Sequence, residues 1–280
     1  MHIAPYDNKN IAIVGVDDAV VPLTYFNIIK LARGDVFESR VAGYETCIVP
    51  ATGTVDIACG ADSFADIGKR VATVWDAEPE GVYVPTGVAA TLTCRSDRAE
   101  VFVAGARCDD VFPAFAIRQD AIDPVQYGSD ETKTHRKIKH ILGTRYHGRV
   151  GRLLVSELYT VGAGGWSGFP SHKHDTDRLP VESHHDEAYN FRFNPAHGSG
   201  LQMLQREDGQ PGDAYHLVNG STVAIDRGYH PCCVLPGYEM YYFTILAGAT
   251  QRSLVQYFQP SHADQIETIP GIKDMIAKFK

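Results

Sequence analysis

Short runs of alternating hydrophobic and polar residues, separated by Gly, Pro and Asp, fill the first half of the chain. These runs are rich in Val, Thr and aromatic residues, a composition typical of β-strands. Their close spacing predicts an antiparallel sandwich or barrel. The predicted strands are 45–49, 53–59, 70–75, 81–85, 90–94 and 99–103. Residues 23–31 have weak helical spacing, although a strand fits this stretch as well.

The second half continues the strand pattern and ends in a predicted helix. Asn219-Gly220 separates two strand-like runs, 214–218 and 221–225, and this dipeptide is a strong hairpin signal. At the C-terminus a stripe of apolar residues recurs at helical spacing, and we expect it to dock on a neighbouring surface without a functional role. Further predicted strands are 152–161, 188–193, 237–246 and 252–258, and the helical stripe comprises Ile272, Met275, Ile276 and Phe279.

A polar, partly basic connector at residues 118–149 separates the two halves. We therefore predict an N-terminal unit, 1–147, comprising a barrel and the connector, and a C-terminal unit, 148–280, comprising a barrel and the terminal helix. The first unit is expected to hold no metal, because His2 is its only histidine before residue 135. The connector histidines, His135, His140 and His147, are expected to be solvated.

Composition narrows the class of protein. The formal net charge of −8 argues against a general nucleic-acid binder, which would present a basic face. No apolar run approaches the roughly 18 residues of a membrane helix, and the first residues do not resemble a signal peptide. Six scattered cysteines form no C-x-x-C pair, so we expect reduced, buried thiols in a cytoplasmic protein.

The candidate chemistry centres on Ser171-His172-Lys173-His174. Alternate residues of a strand point to the same face, so His172 and His174 would enter one interior together. Glu187, at the start of a strand, and His230, in a Gly-Tyr-His-Pro turn, complete a mixed N/O ligand set. Such a set suits one divalent ion among Zn, Mn, Fe, Co and Ni. The competing carboxylates are Glu182 and Asp186, and the alternative without metal is a polar loop.

These motifs resemble a known family. Residues 164–175 (GGWSGFPSHKHD), 186–192 (DEAYNFR), 228–231 (GYHP), 236–238 (PGY) and 241–242 (YY) are similar to the 5-deoxy-glucuronate isomerases of bacterial inositol catabolism. That family belongs to the cupins and is similar to the 4-deoxy-uronate isomerases. The resemblance implies a bicupin: an all-β fold of two antiparallel β-sandwich or jelly-roll barrels with a few short helices, the first of them without metal. The chain departs from the family pattern at 166–171 and at Asn190, positions that would alter the pocket wall.

The resemblance also implies a reaction and its metal ligands. A divalent ion held by His172, His174, Glu187 and His230 would support an aldose–ketose isomerisation whose product is 5-dehydro-2-deoxy-gluconate. Isomerisation through a proton shuttle needs a general base, whereas a hydride shift does not. The candidate catalytic residues are Glu187, Tyr189 and Tyr242, and the other possible bases are Tyr229, Glu182 and His185. For the substrate we favour Arg192, Arg206 and Tyr229, with Arg136 as a third arginine, because a guanidinium pairs well with a carboxylate.

Other functions stay open from the sequence. A cupin dioxygenase would place Fe(II) at the same ligands, and a non-catalytic sugar-acid binding protein would use the barrel as a pocket. A third alternative is a metal that only stabilises the second barrel. In each case the expected partner is a small molecule, with neither nucleic acid nor membrane. A homo-oligomer is possible through edge strands and the C-terminal helix.

Overall fold

A computed structural model of the protein describes residues 1–278, and most of its regular structure is β. The first ten strands are β1 (His2–Ile3), β2 (Thr24–Ala32), β3 (Val36–Ser39), β4 (Tyr44–Thr52), β5 (Val55–Cys59), β6 (Asp62–Ile67), β7 (Gly81–Val84), β8 (Ala90–Cys94), β9 (Arg98–Arg107) and β10 (Phe115–Ile117). The next six are β11 (Asp123–Tyr127), β12 (Arg136–Leu142), β13 (Leu153–Thr160), β14 (Gly165–Ser167), β15 (His172–Lys173) and β16 (His185–Asn194). The last six are β17 (Ser199–Leu204), β18 (Asp213–Val218), β19 (Thr222–Ile225), β20 (Cys232–Val234), β21 (Glu239–Gly248) and β22 (Tyr257–Phe258).

Helical structure is confined to short segments. Three 3-10 turns occupy Gln119–Ala121, Thr144–Tyr146 and Pro260–Glu267, and a single turn-and-a-half of α-helix, α1, spans Ile272–Ala277. The predicted C-terminal helix is therefore present, but Phe279 of its apolar stripe lies outside the described residues. None of the helices within residues 1–278 has the length and apolarity needed to cross a membrane.

Four antiparallel sheets form two sandwiches. The first half pairs a five-stranded sheet, ordered β10-β7-β4-β9-β2, with a four-stranded sheet, ordered β3-β8-β5-β6. The second half pairs a seven-stranded sheet, ordered β1-β19-β16-β21-β13-β12-β11, with a four-stranded sheet, ordered β14-β20-β17-β18. β15 and β22 form a separate two-stranded ribbon. The predicted all-β class with two antiparallel sandwiches is confirmed, although the sheets stay open and do not close into barrels.

Three apolar layers lie between these sheets. One fills the first sandwich and contains Ile48, Leu92 and Val101, and another lines the second sandwich. The third lies between the sandwiches, where the rings of Phe102 and Phe243 have centroids 4.9 Å apart. The seven-stranded sheet is therefore covered on both faces, and one of them looks into the second sandwich.

The connector belongs structurally to the second sandwich. Its strands β11 and β12 extend the seven-stranded sheet, where Ile138 pairs with Leu158 of β13. The expectation that all three connector histidines are solvated is wrong for His140, which is buried because it faces the sandwich interior. The division into units at residue 148 stays a prediction.

Three predicted elements have a different structure. Residues 23–31 are a strand, β2, because they pair along their length with β9. Residues 70–75 are an irregular turn, in which the Asp76 carboxylate accepts hydrogen bonds from the backbone N–H groups of 71–73. Of 252–258 only Tyr257–Phe258 is strand, since the buried Arg252 binds the carbonyls of Leu142, Gly143 and Leu153 and holds the chain away from the sheets.

The Asn219-Gly220 turn exists but does not form the predicted hairpin. Ser221 N–H donates to the Val218 carbonyl across it, and Gly220 has a φ of +92°, which favours glycine. The flanking strands nevertheless enter different sheets, because β18 pairs with β17 whereas β19 pairs with β16 and β1. The turn is thus a crossing between the two layers of the sandwich.

Candidate metal centre and adjoining cavity

Side chains on the inner face of the seven-stranded sheet are arranged in rows. Alternation along β16 places Glu187, Tyr189 and Phe191 on this face. Strand pairing aligns them with Leu246, Thr244 and Tyr242 of β21, respectively. Successive rows are roughly 7 Å apart, the length of two strand residues. The sandwich therefore presents a carboxylate at one level and hydroxyl groups at the levels below it.

The His172–His174 pair faces Glu187 from the short β15–β22 ribbon. His172 pairs with Phe258 in this ribbon, while Lys173 turns the opposite way and binds Asp175 and Glu182. Glu182 is completely buried. Its charge is tolerated there because it also accepts a hydrogen bond from Asp175 N–H at 2.8 Å and pairs with Arg178. Both of its oxygens are thus engaged in holding the ribbon.

His230 reaches the same point from a tight loop. Asp175 links this loop to the histidine pair, since its Oδ2 accepts a hydrogen bond from Gly228 N–H at 2.8 Å. The His230 Nδ1 contacts the Gly228 carbonyl at 2.7 Å, and the His174 Nδ1 contacts the His185 carbonyl at 3.1 Å. Each carbonyl accepts a hydrogen bond from Nδ1–H, and this bond orients the ring so that Nε2 can bind a metal.

The four predicted ligands converge. The ligand nitrogens of His172, His174 and His230 lie within 4.8 Å of one another, and Glu187 Oε2 is 3.1 Å from Nε2 of both His174 and His230. His230 Nε2 is buried, yet it makes no hydrogen bond within the described residues. Three imidazole nitrogens and one carboxylate oxygen that lie this close together fit a divalent ion bound to three nitrogens and one oxygen.

The electrostatics agree with metal binding. Burial opposes the charged form of Glu187, but His174 and His230 outweigh it and lower the pKa of this carboxyl group. Burial, together with the other two imidazoles, holds the pKa of His172 well below its usual value, so this ring is neutral. Glu187 raises the pKa of His174 despite burial. Because that proton must leave when a metal binds, metal affinity is expected to increase with pH.

A cavity adjoins this centre. His172, Glu187, Tyr189 and Tyr242 line it, so the structure brings two of the predicted ligands and both predicted catalytic tyrosines to one space. The C-terminal segment supplies part of the wall through Ile272 and Met275 of α1. The helix thus packs on a neighbouring surface, as predicted, and that surface belongs to the cavity; its lack of a functional role stays a prediction. Gly168 also lines the cavity.

The model of the KduI/IolB family matches residues 3–265, nearly the whole chain. The chain belongs to the KduI/IolB family. A protein named 5-deoxy-glucuronate isomerase, from Listeria innocua serovar 6a, is 32% identical over 230 residues, which cover 81% of this chain and 82% of the relative. The predicted family and the predicted enzyme class, an isomerase, are thereby confirmed.

Two solved structures place this KduI/IolB member among the bicupins. An IolB-like protein from Salmonella typhimurium LT2 superposes with a TM-score of 0.79 at 28% identity, covering 86% of this chain and 89% of that chain. A mutant of Bacillus subtilis oxalate decarboxylase superposes with a TM-score of 0.60 at 10% identity, covering 92% of this chain and 78% of that chain. The second likeness concerns the fold alone.

The structure does not bring the favoured arginines to the cavity. Arg192 alternates with Phe191, so it lies on the opposite face of β16, where it binds Glu100 of the first half at 2.7 Å. Arg206 pairs with Asp226 at 2.7 Å on the surface. Tyr229 is buried beside the histidine loop but does not line the cavity. Asn190 likewise faces away from the cavity and binds Thr222.

The remaining sequence candidates have structural positions. His185 is buried and contacts the Arg252 carbonyl at 3.1 Å, and Asp186 accepts from Leu23 N–H of the first half at 2.9 Å. All six cysteines are buried, and within residues 1–278 none forms a disulfide. Arg136 is buried just behind Tyr242.

Three polar residues of the cavity wall were not predicted from the sequence. Gln256 places its amide nitrogen 3.0 Å from His172 Nε2, and Ser156 and Thr244 occupy the row below Glu187. Strand alternation from Leu158 and Tyr242 would have assigned Ser156 and Thr244 to the inner face. Gln256 lies in an irregular segment, for which the sequence contains no comparable signal.

Proposed function

We propose that the chain is a metal-dependent aldose–ketose isomerase of inositol catabolism, which converts 5-deoxy-glucuronate to 5-dehydro-2-deoxy-gluconate. The observation that carries this proposal is the convergence of His172, His174, His230 and Glu187 beside a cavity lined by tyrosines. It is supported by the similarity of the chain to a protein named 5-deoxy-glucuronate isomerase. The same four residues would hold one divalent ion. When bound, the ion would supply a Lewis acid for the negative charge that develops on the sugar oxygens.

Tyr189 and Tyr242 are proposed to act on the substrate as hydrogen-bond donors. Burial raises the pKa of both hydroxyls well above the usual value, so each keeps its proton at neutral pH. Their rings are adjacent, with centroids 4.7 Å apart. Tyr189, one row below Glu187, can present its donor to the carbonyl and hydroxyl oxygens between which the reaction moves the oxidation level, whereas Tyr242, two rows below, can present its donor to the far end of the substrate.

The other wall of the cavity fits a carbon without a hydroxyl group. Leu158, Leu246, Leu254, Ile272 and Met275 form a continuous apolar surface there. The methylene of 5-deoxy-glucuronate can lie against this surface without leaving a polar group unpaired. A glucuronate would lose the solvation of its extra hydroxyl in the same position.

The test is an NMR time course of purified protein with 5-deoxy-glucuronate, before and after chelation. We expect conversion that stops on chelation and returns with added metal. Glu187→Gln should lower bound metal and turnover while the protein stays folded. Asp186→Asn is the matched control, because this neighbouring carboxylate lies on the other face of β16 and should leave metal content unchanged.

Three results would contradict the proposal. No conversion by metal-loaded protein would exclude this substrate. Oxygen consumption that requires Fe(II) would instead support the dioxygenase alternative. A Glu187→Gln protein that loses stability but keeps turnover would mean that any bound metal is structural.

A further inference from the structure

Arg136 is a buried cation that has no carboxylate partner within residues 1–278. It begins β12, and its residue surface is only 1% exposed. Its Nε donates to the Tyr159 carbonyl at 3.2 Å and its Nη1 to the Trp166 carbonyl at 2.8 Å. Its Nη2 is buried and has no hydrogen-bond partner among the described residues.

The other buried arginines show how unusual this is. Arg70 forms two hydrogen bonds with the Glu157 carboxylate, at 2.7 and 2.6 Å, and Arg252 donates from Nε and Nη2 to three carbonyls and has the charge of Glu45 in its surroundings. Burial opposes the charge of Arg136, and Tyr242, Tyr127 and Cys232, instead of a carboxylate, offset this effect on its pKa. A buried charge is costly unless it is paired with an opposite charge, so this guanidinium fits an anion in the neighbouring space in the working state.

Arg136 does not itself line the cavity, but Tyr242, which does, lies next to it. The guanidinium carbon of Arg136 lies 5.8 Å from the centre of the Tyr242 ring, and the Tyr242 hydroxyl contacts Ser167 next to it. Tyr127 and Tyr242 both line the cavity, whose opposite end contains His172 and Glu187. Tyr242 lies two rows below Glu187, roughly 13 Å along the strand. A metal-bound, extended six-carbon acid would thus direct its carboxylate toward Tyr242.

We propose that Arg136 supplies the positive charge that holds the substrate carboxylate, with the Tyr242 hydroxyl as the group that touches it. This proposal rests on the proposed function, because it assumes a sugar acid in the cavity. Arg136 is then a positioning residue, which acts through Tyr242 and sets the preference for acids over uncharged sugars. Arg192 and Arg206, which the sequence favours, have acidic partners elsewhere and do not share this role.

The experiment compares 5-deoxy-glucuronate with its uncharged methyl ester on metal-loaded protein. Dissociation constants come from ligand-induced thermal stabilisation, which requires no turnover. We expect the wild type to prefer the acid roughly 10- to 100-fold, the range of a charge-assisted hydrogen bond. In Arg136→Gln the preference should approach one, and Arg136→Lys should recover part of it. KM should rise more than kcat falls, with metal content unchanged.

Arg192→Gln is the comparison variant and should keep the wild-type preference. A wild type without preference for the acid overturns the proposal, as does a preference abolished by Arg192→Gln and retained by Arg136→Gln. Equal weakening of acid and ester in Arg136→Gln would indicate a purely structural role and also overturn it. If Arg136→Gln does not fold, Tyr242→Phe decides, because an unchanged preference there contradicts the proposal.

The two proposals fail separately. Turnover of 5-deoxy-glucuronate without an acid preference would retain the isomerase and remove the role of Arg136. Arg136-dependent acid binding without turnover would retain the carboxylate site and remove the isomerase.

Discussion

The Arg70–Glu157 ion pair joins the two halves at the interface between the sandwiches, and its removal gives the sharpest stability prediction. Both side chains are buried, with 1% and 0% exposure. Glu157 also accepts from the Tyr241 and Tyr159 hydroxyls, at 2.9 and 3.0 Å. Arg70→Met would leave a buried carboxylate with two hydroxyl donors and only the weaker influence of the Lys139 charge.

The magnitude follows from what is left behind. Removing one partner of a buried pair costs about 3–5 kcal/mol of stability. Because two tyrosine hydroxyls still donate to Glu157, we expect a loss of about 3 kcal/mol, at the lower end of this range. Burial opposes the charge of Glu157 and Arg70 outweighs it, which lowers the pKa of Glu157. In Arg70→Met this folded-state pKa should lie above the unfolded value. The deficit should therefore be largest at high pH and shrink as the pH falls and the carboxyl group takes up a proton.

Urea unfolding of four proteins tests this: wild type, Arg70→Met, Glu157→Gln, and the double variant. We expect the double variant to be more stable than Arg70→Met at pH 8, because it contains no unpaired charge. Its deficit relative to the wild type should also vary less with pH. An Arg70→Met deficit below about 1 kcal/mol, or one equal to that of the double variant at pH 8, would refute this account of the pair.

Three further predictions concern the second sandwich. Burial lowers the pKa of His140 to about 4 from the usual 6.5, so the folded state loses stability as the pH falls from 6.5 toward 4. This residue should account for about 2 kcal/mol of that loss at pH 5. Urea unfolding should therefore show a flatter dependence of stability on pH for His140→Gln than for a control variant of the exposed His147. Asp175→Asn should weaken metal binding roughly 10- to 100-fold in a chelator competition, because Asp175 holds the His230 loop through Gly228; unchanged affinity would contradict this. Met275→Ala should lower kcat/KM for 5-deoxy-glucuronate more than for glucuronate, since it removes apolar wall, and the wild-type ratio should not exceed roughly 100.

Much of the site could be predicted because its residues repeat with the period of a strand. Alternation places His172 with His174, and Glu187 with Tyr189, on inward faces. The same rule applied to Arg192 puts it on the opposite face, as the structure shows. The sequence alone therefore contains the reason to exclude Arg192 from the cavity, even though a guanidinium is well suited to bind a carboxylate.

Other features depend on contacts between distant residues. The Asn219-Gly220 dipeptide predicts a turn, but not which sheets its strands enter, since that choice is made by β16 and β17. Residues 70–75 have strand composition, yet Arg70 is drawn to Glu157, 87 positions away. The isolation of Arg136 from any carboxylate within residues 1–278 is likewise invisible until every neighbour is placed.

The apolar layer between the sandwiches also bears on how such a chain can evolve. A half of the chain that contributes no ligand to the candidate metal centre would ordinarily be free to accumulate mutations or to be deleted. Here the first half covers one face of the sheet that carries Glu187, through Phe26 and Phe102 against Phe243. Deleting it would expose that sheet to water and to other copies of the chain. Selection on the candidate metal centre would therefore reach residues of the first half that do not line the cavity.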